Sequence, residues 1–408
     1  MQASLGSAKD RLVATGSALR GGGRGWVLLV VAAGWLTVLG GRYLFPEILP
    51  AIREFFDVSN ATAGLAITVV WGSYALMQFP AGMLTDHFGE RTLLATSLVV
   101  SAGAVGAVAL APTFALFVVG CALFGFGTGL YGPARGIVLS ETFGDHDGAA
   151  IGATLAAGSI GSASIPFVAN ALVGPLGWQT TVTLLVVPFL VVAGGVWWAV
   201  PRRTPPTNSD GRRSVGAVVA ALRSAVTRRS IVAVSATTLM LFVLQGLTSF
   251  LPSYLVGVKD LSGAAAAGLF ALFFLSGAVF QSLAGNAVDR YGHRTVGLAI
   301  AICSVLPLLA LPFVDGLVPL SVLVVVLGVR LAINPVNNAY IIAAVPNAVQ
   351  GTAWGFFRTV FFVLAATGST VVGLFFDADL QGVAFVGLAV ITALAAGCYA
   401  YLPSLESV

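Results

Sequence analysis

Four arginines lie inside the long apolar stretches of this chain, and they could bind an anion. They are Arg42, Arg135, Arg330 and Arg358. The only carboxylates in the same stretches, Glu47 and Glu141, lie towards an end. A charged side chain in the middle of a membrane span costs about 2.5–3.5 kcal/mol, so it indicates a function or a partner. A guanidinium presents a planar fork of N–H groups that matches the two oxygens of a carboxylate or phosphate. These residues therefore predict a site for an anionic ligand.

Arg42 and Arg330 are the stronger candidates for that site. Arg42 lies well inside the first apolar stretch, with Tyr43 beside it, and Arg330 lies in the middle of a later one. Three amides follow Arg330 and could line the same polar cavity: Asn334, Asn337 and Asn338. In the alternative interpretation, Arg330 donates to backbone carbonyls that are left free where Pro335 interrupts the helix.

Arg135 and Arg358 lie closer to the ends of their apolar stretches. A long side chain near the end of a span can reach the interface with its charged head while its stem stays in apolar surroundings. We therefore assign Arg135 and Arg358 a structural or gating role rather than a place in the anion site.

The composition excludes a soluble enzyme and a nucleic-acid-binding protein. Hydrophobic residues make up 58% of the chain and charged residues 9%, whereas soluble domains contain about 25% charged residues. The formal net charge is +4, but the positive residues lie mainly in short loops between apolar stretches. The three cysteines are far apart, and the sequence shows no phosphate-binding loop, metal-ligand spacing or nucleophile–base pattern. We predict no enzymatic activity, no cofactor, no metal and no nucleic-acid partner.

Twelve apolar stretches are long enough to cross a bilayer, since a spanning helix needs about 20 residues. Proline, glycine and clusters of charged residues mark their ends. The predicted spans are 26–50, 61–84, 92–111, 113–140, 149–173, 180–200, 231–256, 263–287, 295–314, 317–344, 349–375 and 382–402. The chain is therefore predicted to be an all-α polytopic membrane protein with twelve transmembrane helices.

Two short loops between these spans repeat each other. Residues 82–92 and 285–295 match at a single offset of 203 residues. The matching pairs include Gly82 and Gly285, Asp86 and Asp289, Gly89 and Gly292, and Arg91 and Arg294. Since each copy follows the second span of its half, the twelve helices form two pseudo-symmetric six-helix bundles.

Both loops resemble the loop between the second and third helices of major facilitator superfamily transporters, whose pattern is Gly-x-Leu-Ala-Asp-Arg-x-Gly-Arg-Lys. The resemblance covers the whole chain and implies two bundles that rock about a central cavity and open it alternately to each side. The stretch around Arg42, in which an arginine precedes Pro46, also resembles the first helix of the anion:cation symporter branch. That resemblance implies that Arg42 binds the anion. One departure is Cys121, which stands where many relatives have an arginine near the start of the fourth helix.

The glycines of the repeated loops predict how the helices meet and turn. Gly82 and Gly285 would permit close contact between helices. Gly89 and Gly292 would end one helix and turn the chain into the next. These loops are therefore expected to take part in the conformational change.

The charged residues of the repeated loops predict a lock between the halves. Asp86 would face the positive N-terminal end of the eleventh helix. Arg91 would pair with Glu141 while the cavity faces outward. The matching residues of the second loop are Asp289 and Arg294. Ala344 occupies the position that corresponds to Glu141, so the lock is expected to be lopsided.

The distribution of positive residues predicts the orientation, because cytoplasmic loops retain Lys and Arg. Fourteen of them lie on the side of the repeated loops, and only Arg53 and Lys259 lie on the other. Both termini are therefore predicted to lie in the cytoplasm, with the chain in the cytoplasmic (inner) membrane. We divide the chain into a cytoplasmic segment 1–25, a bundle 26–200, a cytoplasmic linker 201–230 and a bundle 231–408. The linker either lays an amphipathic helix in the membrane interface over 214–229 or is solvated.

These observations predict a secondary transporter that works as a monomer by alternating access. Its expected partners are the lipid bilayer and a small-molecule substrate, and a coupling ion, H+ or Na+, is left open. A small organic anion is the favoured substrate, because a cationic compound would need a carboxylate at mid-depth. Efflux of a lipophilic or cationic drug-like compound is the alternative.

Overall fold

The computed structural model describes residues 24–202, 216, 222–345 and 349–403, and every regular element in that part of the chain is a helix. The helices of the first half are α1 Arg24–Phe56, α2 Asn60–Phe88, α3 Glu90–Ala109, α4 Phe114–Gly129, α5 Tyr131–Phe143, α6 Asp147–Thr183 and α7 Val186–Ala199. Those of the second half are α8 Arg228–Gly257, α9 Gly263–Ala310, α10 Leu317–Leu327, α11 Ile333–Ala343, α12 Gln350–Ala366, α13 Gly368–Asp377 and α14 Gln381–Ala400. The linker predicted at 201–230 falls largely outside the described residues.

The described helices form twelve membrane spans. Ten helical runs are long and apolar enough to cross a membrane, and two of them, Asp147–Ala199 and Gly263–Phe313, exceed 50 residues. Each of these two contains one glycine with a positive φ, Gly177 at 77° and Gly292 at 76°. A positive φ breaks a right-handed helix, so each long run is two spans. The prediction of an all-α membrane protein with twelve spans in two six-helix bundles is confirmed.

The two repeated loops have the same backbone conformation. Gly89 has φ 78° and ψ 156°, and Gly292 has φ 76° and ψ 159°. Residues with a Cβ rarely adopt this conformation, which explains why both copies keep a glycine. The structure thus places a chain turn at Gly89 and at Gly292, the two glycines predicted to turn the chain in the repeated loops. We call this end of the molecule the loop end.

The internal repeat continues at the opposite end, which we call the far end. Asp57 and Asp260 follow α1 and α8 with φ values of 51° and 52°, and they lie at the same offset of 203 residues. Two residues further on, Ser59 caps α2 and Ser262 caps α9, each accepting a hydrogen bond from a backbone N–H three residues later. The sequence analysis did not detect this match because only the Asp and the Ser are repeated within the loop, while the residues directly beside them differ.

The two halves are tightly packed at the far end. A Cβ added to Gly64 of α2 would lie 2.7 Å from the carbonyl oxygen of Ser369 on α13, and one added to Gly373 would lie 2.7 Å from Cα of Ala61. Only glycine permits such an approach of two helix backbones. Thr68 reinforces the contact by donating a hydrogen bond of 2.8 Å to the carbonyl oxygen of Ala366.

The two glycines of the repeated loops lack this close packing. A Cβ added to Gly82 or Gly285 meets no atom of another described segment within 4 Å. The close helix contact predicted at these two glycines is therefore not made among the described atoms. The structure represents a conformation closed at the far end.

A carboxylate from the second half caps a helix of the first half at the far end. Asp377, the last residue of α13, accepts hydrogen bonds from the backbone N–H of Asn60 at 2.6 Å, from Nδ2 of Asn60 at 2.9 Å and from the backbone N–H of Ala61 at 2.9 Å. The first N–H groups of a helix lack intrahelical acceptors and carry the positive end of the helix dipole. Asp377 therefore ties α13 to the start of α2.

We expect Asp377→Asn to weaken closure at the far end. The amide loses the negative charge and one acceptor oxygen, and hydrogen bonds to charged groups contribute about 1.5–3 kcal/mol. Accessibility of a cysteine at Thr68 to a membrane-impermeant thiol reagent, in a background without the native cysteines, should rise about tenfold. Asp379→Asn is the matched control, because Asp379 is exposed and its side-chain contact is with Gln381 at 3.5 Å. Equal labelling in both variants would show that the cap does not hold the halves together.

Candidate functional site

Arg42 lies inside the protein among aromatic rings. Its residue is 1% exposed, and its Cζ lies 4.0 Å from the ring centroid of Tyr74 and 4.7 Å from that of Trp71, both on α2. Nε reaches the carbonyl oxygen of Val38 at 3.5 Å, which is long for a hydrogen bond. Nη2 is buried without a hydrogen-bond partner. The cation is therefore held mainly by ring faces, and part of its fork is free to bind an acceptor.

Two further arginines share the rings that surround Arg42. Arg135 of α5 places its Cζ 4.1 Å from the ring centroid of Trp35, and Cζ of Arg42 lies 5.6 Å from the same ring. Arg358 of α12 donates a hydrogen bond of 3.2 Å to the hydroxyl of Tyr74. Arg135 and Arg358 are partly exposed. We call Arg42, Arg135 and Arg358 the three-arginine cluster; two members come from the first half and one from the second.

The cluster has no negative counter-charge in the described part of the chain. The ionisable neighbours of Arg42 and Arg135 are tyrosines and the other arginines of the cluster, with no carboxylate among them. Four guanidinium nitrogens are buried without a partner: Nη2 of Arg42, Nε and Nη1 of Arg135, and Nε of Arg358. Buried donors without an acceptor are costly, and charged ones more so. An anion with several oxygens would satisfy these donors and offset the repulsion between the cations.

The backbone explains how Arg135 reaches the cluster. The fourth span is divided at Leu130, where α4 ends and α5 begins. Tyr131, the first residue of α5, anchors this break by donating a hydrogen bond of 2.9 Å to the carbonyl oxygen of Val31 on α1. Arg135 is one turn further along α5, and its Cζ lies over Trp35, whose ring also stacks with that of Tyr131 at 6.4 Å between centroids.

Arg330 is also buried, but its contacts lie within the second half. It belongs to the short 3-10 segment Gly328–Ala332, and it donates at 3.1 Å to the hydroxyl of Thr392 on α14 and at 3.1 Å to the carbonyl oxygen of Met240 on α8. The structure does not bring it to Arg42, contrary to the pairing expected from the sequence. Arg358 is the arginine that the second half contributes to the cluster.

The remaining predicted site residues are divided between two environments. Tyr43 is buried, and its ring centroid lies 4.4 Å from that of Phe274 on α9, so it packs between the halves. Asn337 is buried and accepts a hydrogen bond of 2.8 Å from the hydroxyl of Tyr399. Asn334 and Asn338 are partly exposed on α11. The three amides therefore accompany Arg330 on α11 and its preceding segment, and they are not part of the three-arginine cluster.

The side chain of Asp86 lies outside the described residues. Its expected position at the start of the eleventh span, which begins with α12, therefore stays a prediction. Arg91 places its Cζ 4.4 Å from the ring centroid of Trp197. Glu141 lines a cavity of about 550 Å³ at the loop end, together with Glu90 and Arg24. Asp289 and Arg294 are exposed. The lock between Arg91 and Glu141 was predicted for an outward-facing conformation and stays a prediction.

Arg330→Met is expected to leave anion binding by the folded protein unchanged. Its polar contacts are to Thr392 and Met240, and Thr392 keeps its hydrogen bond to the carbonyl oxygen of Leu388 in the variant. The affinity for an anionic ligand, measured by isothermal titration on the purified variant, tests this expectation. A loss of affinity as large as that expected for Arg42→Ala would place Arg330 in the binding site.

Comparison with known proteins agrees with this architecture. The family model described as Major Facilitator Superfamily matches residues 30–369 and 262–406. A relative from Bacillus subtilis (strain 168), the uncharacterized MFS-type transporter YfnC, is 24% identical over 341 residues, which is 82% of this chain and 82% of the relative. The putative uncharacterized transporter YgaY of Escherichia coli (strain K12) is 26% identical over 196 residues, 47% of this chain and 48% of that protein.

Solved structures share the fold at low sequence identity. A bacterial homolog of the human lysosomal transporter Spinster, in an inward-facing and occupied conformation, aligns with a TM-score of 0.76 and 16% identity over 93% of this chain and 96% of that chain. The nucleoside transporter NupG, solved as a point mutant, aligns with a TM-score of 0.77 and 14% identity over 92% of this chain and 99% of that chain. With the match of the family model along most of the sequence, the chain belongs to the Major Facilitator Superfamily.

Proposed function

We propose that this protein is a secondary transporter of small organic anions and that the three-arginine cluster binds the anion. The observation that supports this most strongly is the convergence of three guanidinium groups without a described carboxylate beside them. A buried cluster of like charges is expensive unless a ligand supplies the opposite charge. Aromatic rings around the arginines stabilise the cations in the absence of ligand without competing for the anion.

The cluster joins the two halves, so an anion bound there would link binding to conformation. Arg42 and Arg135 belong to the first half and Arg358 to the second, and all three contact Trp35 or Tyr74. A ligand shifts a conformational equilibrium only when it interacts differently with the two states. An anion that contacts arginines of both halves would favour conformations in which the halves converge around it. The substrate gradient, or a coupled H+ or Na+ gradient in symport, would then drive net transport.

We further propose that the protein acts as a monomer in the cytoplasmic membrane, with both termini and the repeated loops in the cytoplasm. The excess of positive residues near the loop end supports this orientation. The structure, closed at the far end, would then be an inward-facing conformation. Access from the loop end is consistent with the partial exposure of Arg135 and Arg358, compared with 1% for Arg42.

Transport by the full chain in proteoliposomes tests this function. We would measure uptake of labelled monocarboxylates, dicarboxylates, phosphorylated metabolites and lipophilic cations, with and without a pH or sodium gradient. Uptake or counterflow of anions, inhibited by other anions, is the expected result. Transport of cations alone would contradict the anion assignment and favour the alternative of efflux of lipophilic or cationic compounds.

A further inference from the structure

We infer that the substrate carries two anionic groups, one bound by Arg42 and Arg135 of the first half and the other by Arg358 of the second. This inference rests on the proposed function and names the class of anion. It would make Arg358 the residue that distinguishes a dianion from a monoanion. Short dicarboxylates and phosphorylated carboxylic acids have this chemistry.

The free donors of the cluster belong to two groups, one from each half of the chain, and Arg42 of the first group and Arg358 of the second both contact Tyr74. The first group is beside Trp35, where Arg42 and Arg135 lie 5.6 Å and 4.1 Å from the ring centroid, and it includes three nitrogens without a partner. The second group is Arg358, whose Nη2 is bound to the hydroxyl of Tyr74 while its Nε is buried without a partner. The two groups come from different halves and would bind separate anionic groups.

The charge balance favours a dianion over a monoanion. The cluster has three positive charges, and the described residues around it supply no carboxylate. A monoanion would leave two positive charges uncompensated among aromatic rings, where charges are screened less than in water. A dianion would leave one. The rings of Trp71 and Phe362 stack across the two halves, with centroids 6.4 Å apart and planes at 9°, so apolar surface lies beside the cluster and suits the short apolar linker between two anionic groups.

The inference is tested by comparing anions of equal length and unequal charge. We would measure how unlabelled anions compete with the best-bound labelled anion for the purified full chain in nanodiscs. The competitors are monocarboxylates, dicarboxylates and dicarboxylate monoamides of about three to seven carbons, and phosphorylated hydroxy acids. The wild-type protein is expected to bind the best dianion about tenfold or more tightly than the matching monoanion and monoamide, since each hydrogen bond to a charged group adds about that factor.

Arg358→Gln is expected to remove most of this preference and keep the affinity for the monoanion. Retained monoanion binding also shows that the variant is folded. Arg358→Lys, which keeps the charge but loses the fork, should keep part of the preference. Arg223→Gln is the control for loss of one positive charge elsewhere, because Arg223 is exposed and lies outside both the cluster and the repeated loops.

The outcomes separate this inference from the proposed function. Equal wild-type affinity for monoanions and dianions, or an equal loss of both in Arg358→Gln, would overturn the dianion inference and leave an anion transporter. If none of the anions binds and a cation does, the proposed function itself is wrong.

Discussion

Arg42→Ala is expected to nearly abolish anion binding and transport. Arg42 is the most deeply buried member of the three-arginine cluster, and its Nη2 has no partner within the protein. Breaking one side of a desolvated charge pair costs about 2–5 kcal/mol. The dissociation constant should therefore rise roughly 30-fold to several thousand-fold. Binding of a labelled anion and its uptake into proteoliposomes measure the two effects separately.

Arg42→Lys should restore only part of the affinity, because an ammonium group cannot make the two-pronged contact of a guanidinium. It would also fit less well over Tyr74 and Trp71, which contact the planar guanidinium face. Arg223→Ala is the control and should bind the anion normally, because Arg223 is exposed and lies outside the cluster and the repeated loops. Wild-type transport of a neutral or cationic substrate by Arg42→Ala would show that the cluster is not the binding site.

Gly64→Leu is expected to prevent closure at the far end and to stop transport. The added Cβ would meet the backbone oxygen of Ser369, an atom that cannot move aside without moving α13. Overpacking of this kind costs about 1–3 kcal/mol. A change of that size shifts a two-state equilibrium by about 5- to 150-fold. Distances between spin labels at Asp57 and Asp379, across the far end, should increase.

Gly82→Leu, near the other end of the same helix, is the matched variant. A Cβ added at this position meets no atom of another described segment within 4 Å, so the far-end distance between the labels should stay short. If the repeated loops meet when the cavity faces outward, Gly82→Leu should disfavour the outward-facing conformation. It should then trap the conformation closed at the far end, which Gly64→Leu disfavours. Identical label distances in the two variants would contradict the view that the halves rock about the cluster.

The fold could be predicted from the sequence because membrane spans are set mainly by length and apolar composition. The predicted spans 61–84 and 92–111 correspond to α2 and α3, with Gly89 as the turn between them. The bounds also differ where helices extend beyond the predicted apolar stretch, as at the end of α1, which ends at Phe56 and not at residue 50. Gly177 lies in the break predicted between the spans 149–173 and 180–200, although the sequence gives no sign of its positive φ.

The candidate site was predicted less completely, because the three arginines of the cluster lie on three helices far apart in sequence, α1, α5 and α12. Arg42 was identified from its depth in the first span. Arg135 and Arg358 were placed nearer to the membrane surface, since the sequence does not show that α5 and α12 direct them towards Tyr74. A signal was present in the spacing of the rings: Trp35 is two turns before Arg42 on one face of α1.

Arg330 stays a predicted site residue, and its partners within the second half were not identified from the sequence. A charge in the middle of a span indicates that something must bind it, but a carbonyl and a hydroxyl of the same bundle are sufficient. Sequence alone does not distinguish such internal partners from a ligand. The capping of α2 by Asp377 was also missed, because it joins residues 317 positions apart.

The cap made by Asp377 suggests how the balance between the two conformations is set. The start of α2 contacts the end of α13, so α2 runs antiparallel to the α12–α13 pair, and each of these spans carries an aspartate near its C-terminal end, Asp86 and Asp377. If Asp86 reaches the start of α12, as the sequence predicts, the same pair of spans can be joined at either end by an aspartate that caps a helix. Rocking would then replace one such contact by another of nearly equal strength. The resting ratio of the two states would depend on the small difference between the bonds, so a weak substrate could reverse it.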